Sequence, residues 1–267
     1  MRRIFLLFFA FSISLGMYGQ MTELAFEASV KGIDEFMSRF NGYERHLMVD
    51  PKATDAVRQN LLTLFDAENT QDVELKLAMV DTILSRGTQL SYESKMWYAE
   101  ATCKMFYKKQ EVELKLILRT ELTPNNLSYW GFAGVDGMIK AGIIDTTQWR
   151  AVSPVEHEIN FIGLESIINK NREHFAGYRC RDIQIDELSA FLALVQAGDL
   201  TFDYCEGVRY HFLNVPGFIF TVENQMRTST NSGWLISDVM EADFDEKENY
   251  MFNVLKLRQW YMEKNSY

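Results

Sequence analysis

Residues 97–105 read Trp97-Tyr98-Ala99-Glu100-Ala101-Thr102-Cys103-Lys104-Met105. Trp97, Ala99, Ala101, Cys103 and Met105 alternate with Tyr98, Glu100, Thr102 and Lys104. That two-residue period predicts a strand with one face on a core. A turn at Lys108-Lys109-Gln110 follows, and Val112, Leu114, Leu116 and Leu118 then alternate with Glu113, Lys115 and Arg119. Thr123-Pro124-Asn125-Asn126 is a second turn, before a third strand at Leu127 to Val135. Alternating runs joined by turn residues predict a three-stranded antiparallel meander.

Upstream the period is 3.6 instead of 2. Leu24, Phe26, Val30, Ile33, Phe36, Met37 and Phe40 mark a helix from Thr22 to Phe40, closed by Asn41-Gly42. Two more helices are predicted at Thr54 to Asp66 and Thr70 to Ser85. Downstream, Ser153-Pro154-Val155-Glu156 has the form of a capping box opening another helix. A helix from Asp186 to Ala197 stops at Gly198. Strands return at Tyr204 to Leu213, Gly217 to Met226 and Gly233 to Met240, and a polar-faced helix is expected from Asp245 to Lys264.

Both halves thus run helices first and three strands after. Their third strands are alike: Trp130 precedes Val135 and Trp234 precedes Val239, each by five residues and after a polar turn. An internal repeat is the expectation, with coincidence between two meanders as the alternative. Helices covering one face of curved antiparallel sheets make an α+β protein.

The 267 residues are 47% hydrophobic and 24% charged, with aromatics at 13%. This composition supplies a real core. The formal charge of −10 opposes binding to nucleic acid and to anionic membrane surfaces. Arg2 and Arg3, then apolar Ile4 to Leu15, then small residues to Gly19, have the layout of a cleavable signal peptide over 1–19. The alternative is an anchor, but a spanning helix needs about 20 apolar residues. Losing Arg2 and Arg3 takes the charge from −10 to −12. The mature chain is expected to be exported, periplasmic or extracellular, with no integral membrane segment.

The order of helices and bent sheet looks like the NTF2-like (cystatin-like) fold, in which they form an open-mouthed cone. Phe218-Ile219-Phe220-Thr221-Val222-Glu223 and Ser232-Gly233-Trp234-Leu235-Ile236-Ser237 carry most of that likeness. Other strings are Phe36-Met37-Ser38-Arg39-Phe40-Asn41-Gly42, Trp97 to Ala101, Ser153 to Phe161 and Val215 to Glu223. Through them the chain resembles an uncharacterised family of exported Bacteroidales proteins. The resemblance implies two NTF2-like units, over 20–150 and 151–267, or a divergent pair with a joint sheet. It transfers no catalytic residue.

Candidate chemistry is sparse. His157-Glu158 begins like a zinc-binding helix, but Phe161 stands where the second histidine belongs. His46, His174 and His211 are scattered, and no metal or cofactor is expected. Asp243-Phe244-Asp245-Glu246-Lys247-Glu248 lacks the glycine of a calcium loop and reads as a solvated acidic patch. Gly131, Gly134 and Gly137 suit a thinned sheet or a turn rather than a phosphate cradle. Of Cys103, Cys180 and Cys205, the last two are closer in sequence, and an odd count leaves at least one thiol free. All three also suit a core as small hydrophobes. Cys205 and His211, six apart, are expected on one strand and the same face.

Glu100, Glu223 or Asp238, beside Tyr98 or Tyr210, would serve as a general base if burial raised the carboxylate pKa. Otherwise these are solvent-facing charges. Trp97, Trp130, Trp234, Phe218 and Phe220 most simply fill a core, and the pocket candidates are Trp97, Tyr98, Trp130, Tyr210, Phe218 and Trp234. If some of them line an open cone, they would bind a small apolar or carbohydrate-like ligand. The functional expectation is a binding or interaction module with such a ligand or a protein partner, and a homo-oligomer is open to it. The alternative is an isomerase- or hydrolase-like enzyme using a buried carboxylate.

Overall fold

The computed structural model describes residues 32–42, 54–123, 128–144, 185–228 and 230–257. Its elements are α1 (Ile33–Asn41), α2 (Thr54–Leu62), α3 (Val73–Arg86), β1 (Trp97–Tyr107), β2 (Gln110–Leu122) and β3 (Ser128–Asp136). These are followed by α4 (Glu187–Ala197), β4 (Leu200–Phe212), β5 (Phe218–Gln225), β6 (Gly233–Glu241) and α5 (Phe244–Asn253). The protein is α+β. The leader expected over 1–19, the 153–156 capping box and the boundary at 150/151 lie outside the described residues.

All six strands form one antiparallel sheet in the order β3-β2-β1-β4-β5-β6. The order reads alike from either edge: third, second and first strand of one meander, then first, second and third of the other. The seam is the β1–β4 pair, where Trp97 faces Phe212 and Tyr107 faces Leu200.

The helices cross over. Phe36 and Phe40 of α1, Leu61 of α2 and Met79, Val80 and Ile83 of α3 pack with Phe212, Phe218, Phe220, Val222, Trp234, Ile236 and Val239. N-terminal helices therefore cover C-terminal strands. In return, Phe191 of α4 sits among Ala101, Cys103, Met105, Val112, Leu114, Leu116 and Val135. Each cover is positioned by its caps. Asp72 accepts from Glu74 N–H at the start of α3, and Asp186 accepts from Ser189 N–H at the start of α4. Gly87 and Gly198 close the two helices in the left-handed conformation.

Helix α2 stops at Leu62, short of the expected Asp66, because the chain turns there to guard the edge of β6. Phe65 bridges Ile236, Ile236 N–H donates to Leu64 O at 2.8 Å, and Asp66 N–H donates to Ile236 O at 3.0 Å. Gln71 then satisfies both the N–H and the C=O of Val239 through its side-chain amide. Occupied hydrogen-bonding groups remove an edge as a template for foreign strands.

The reverse face is covered too, beyond the single covered face expected. Tyr98, Ile117, Leu213 and Ile219 form a third core with Met251, Leu255 and Leu257. Helix α5 ends at Asn253, well before Lys264, because residues 254–257 leave it to lie along the sheet. Leu255 and Leu257 are buried there. Gly134 permits the crossing, since a Cβ at that position would lie 2.7 Å from Leu255 O. Gly137, at the exit of β3, has φ of +110°, a conformation that side chains resist.

Candidate functional site

The aromatic candidates separate by face. Trp97, Trp130, Tyr210 and Trp234 form a row on the front face. Ring centroids are 5.0 Å apart for Trp97–Trp130, 6.0 Å for Trp97–Tyr210 and 5.0 Å for Tyr210–Trp234. Trp97, Tyr210 and Trp234 are buried, and only Trp130 reaches solvent, at 37% exposure. Burial pushes the Tyr210 phenol pKa far up. Tyr98 points to the reverse face, where its hydroxyl lies 3.4 Å from Met251 Sδ. Burial raises the Tyr98 pKa to about 12, against the pull of Arg119.

The ionisable candidates gather on that reverse face, beneath α5. Glu100 of β1 is buried and accepts from Lys115 Nζ of β2 at 2.8 Å. Its other oxygen is 3.6 Å from His211 Nε2 of β4, and His211 Nδ1 is 2.8 Å from the Tyr250 hydroxyl of α5. Burial opposes the charge on Glu100. The opposing pull of His211 and Lys115 wins and brings its pKa to about 2. Glu100 is therefore an anchored anion at neutral pH, the reverse of a carboxylate raised into service as a base. Tyr250 is raised to about 12, first by burial and then by the Glu100 charge.

Arg209 pairs with Glu223 at 2.6 Å, so this carboxylate is held in a cross-strand ion pair. Asp238 accepts from the Gln71 side chain at the surface. Cys205 and His211 share β4 but not a face. Cys205 lies in the front-face core, whereas His211 joins Glu100 and Tyr250. A bulge opposite Thr102/Cys103 inserts Glu206 as an extra residue and inverts the alternation between the two.

The stretch read as a solvated acidic patch holds α5 in place. Asp243 and Glu246 form a reciprocal capping box. Lys247 is buried, and its ammonium donates to Leu213 O at 2.8 Å and Val215 O at 2.6 Å. Burial lowers its pKa. The sequence signal was present, because Asp-x-x-Glu is a helix start. Lys247→Met should leave both carbonyls without that donor and cost about 1–3 kcal/mol. Amide exchange in the purified protein should then accelerate across 244–253 while β1 and β4 stay protected.

An open hollow of about 640 Å³ lies beside the α5 N-terminus. Phe218 and Pro216 supply its apolar surface. Ser85, Arg86, Glu241 and Glu246 supply hydroxyl, guanidinium and carboxylate groups. Phe218 is thus the aromatic candidate that borders this hollow, and it is mostly buried. Among the described residues, no three His, Cys, Asp or Glu side chains come together as metal ligands. No described helix is long and apolar enough to cross a membrane.

Comparison of the chain with family models, with curated proteins and with solved structures gives no match.

Proposed function

We propose that the mature chain is an exported, non-catalytic binding module made of two NTF2-like units that share one sheet. The hollow bounded by α3, β5, β6 and α5 is its recognition site. The observation that carries this reading is the lining of that hollow. The lining combines an apolar wall, exposed Pro216 and mostly buried Phe218, with hydroxyl, guanidinium and carboxylate groups. Such groups exchange hydrogen bonds with several hydroxyls at once while the apolar wall takes a sugar ring face. A neutral oligosaccharide is the ligand class that fits.

The mirrored strand order and the crossed helical cover support a duplicated unit. So do Gln71-Asp72-Val73-Glu74-Leu75 and Gln184-Ile185-Asp186-Glu187-Leu188, which lead into the two covering helices. The leader-like residues 1–19 support export. An isomerase- or hydrolase-like reading would need a carboxylate raised by burial, whereas Glu100 is held ionised.

The test is to isolate the secreted protein, confirm an N-terminus near Gln20, and titrate it with neutral oligosaccharides while recording amide NMR spectra. Shifts should concentrate at 82–86, 216–218 and 241–246, and Ser85→Trp should abolish them by filling the hollow. Shifts elsewhere, an indifferent spectrum or cleavage of the sugar would each overturn the reading.

A further inference from the structure

We infer that Cys103 and Cys205 are partners in a disulfide that clamps the seam between the two meanders, leaving Cys180 as the remaining thiol. The register makes the case. Thr102 faces Gly207, so an unbroken ladder would set Cys103 opposite Glu206. The bulge passes over Glu206 and brings Cys205 opposite Cys103 instead. Both side chains point into the front-face core and both are buried. Facing residues of an antiparallel pair have Cα atoms about 4.5–5.5 Å apart. Disulfides span about 4.4–6.8 Å between Cα atoms, a range that includes this spacing.

The thiols are free and face each other across the β1–β4 pair. Cys103 Sγ lies 3.6 Å from Ala101 O and Cys205 Sγ 3.4 Å from Thr102 O, and the mutual influence of the two neighbouring thiols pushes the Cys103 pKa up and the Cys205 pKa down. Cys205 is accordingly the first thiolate. Its sulfur attacks an exchangeable disulfide, R–S–S–R, forming a mixed disulfide and expelling one RS⁻. Cys103 then loses its proton, attacks the Cys205 sulfur and expels the second RS⁻. Two protein S–H bonds become one S–S bond, the oxidant is reduced to two RSH, and the two protons end on those leaving groups. Because both sulfurs are buried in the finished sheet, exchange occurs while β4 is docking on β1. Only the place of reaction, an oxidising compartment, rests on the export reading.

The experiment needs no compartment. The reduced mature chain is unfolded in urea, refolded in a mixture of oxidised and reduced glutathione, trapped by alkylation and digested. Mass spectrometry should find the Cys103 peptide joined to the Cys205 peptide, with Cys180 alkylated. The oxidised chain should unfold at higher urea than the reduced one, and Cys103→Ser and Cys205→Ser should each abolish that difference. A cross-link that includes Cys180, or alkylation of all three thiols after oxidation, overturns the inference. A failed export reading would show separately, as a leader retained on the protein recovered from the cell.

Discussion

Trp97→Ala lowers the unfolding free energy by about 3–5 kcal/mol, the range for emptying a large aromatic from a close-packed core. Trp97 is wholly buried, and its ring meets Tyr92, Trp130, Tyr210 and Phe212. It lies in the core that α1–α3 cover. Trp130→Ala provides the contrast. Its ring is part of the same row but more than a third exposed. Its loss should cost about 1 kcal/mol, the scale of one aromatic pair. Urea unfolding followed by far-ultraviolet circular dichroism at neutral pH separates the two. Equal losses would mean that the row does not form.

The second large effect is at the acid end. The Glu100 pKa is about 2 in the folded protein, against 4.5 for the unperturbed side chain. A carboxylate depressed by folding adds stability that is complete above its unfolded pKa and fades as pH falls through the folded value. Stability should therefore decline from about pH 4.5 toward pH 2, with Glu100 contributing up to about 3 kcal/mol. Glu100→Gln keeps the shape and removes the charge. The variant should lose about 2–3 kcal/mol at pH 7 and show a flatter acid limb than the parent. Urea midpoints between pH 2 and pH 7 measure both. Parallel limbs for the two proteins would remove Glu100 as the source.

Much of this frame was legible. Periods of 2 and 3.6 placed the six strands and the starts of α3 and α4 within a few residues, because alternation or a helical stripe persists over most of each element. Three things were hidden. One is the seam: alternation says that Trp97 is inward, but not that β1 pairs with β4 across the intervening chain. Another is the crossing of the helices, since apolar residues on α1 and α3 do not name the strands they cover. The last is the bulge at Glu206. A period of exactly two put Cys205 with His211, whereas one extra residue sent the former to its partner Cys103 and the latter to Glu100. The Glu100–His211–Tyr250 cluster draws on two strands and a helix far apart in the chain, and no local pattern joins them.

The seam also sets the order of events as the chain is made. Trp97 waits for Phe212, and contacts between such distant partners carry a heavy loop-closure cost and form slowly. A nascent N-terminal portion therefore has no finished state of its own: its helices lack the strands they shelter, and its strands lack their lid. The export proposed above would gain from that delay, because a chain that has not locked on the side of synthesis can still be threaded through a membrane pore in extended form.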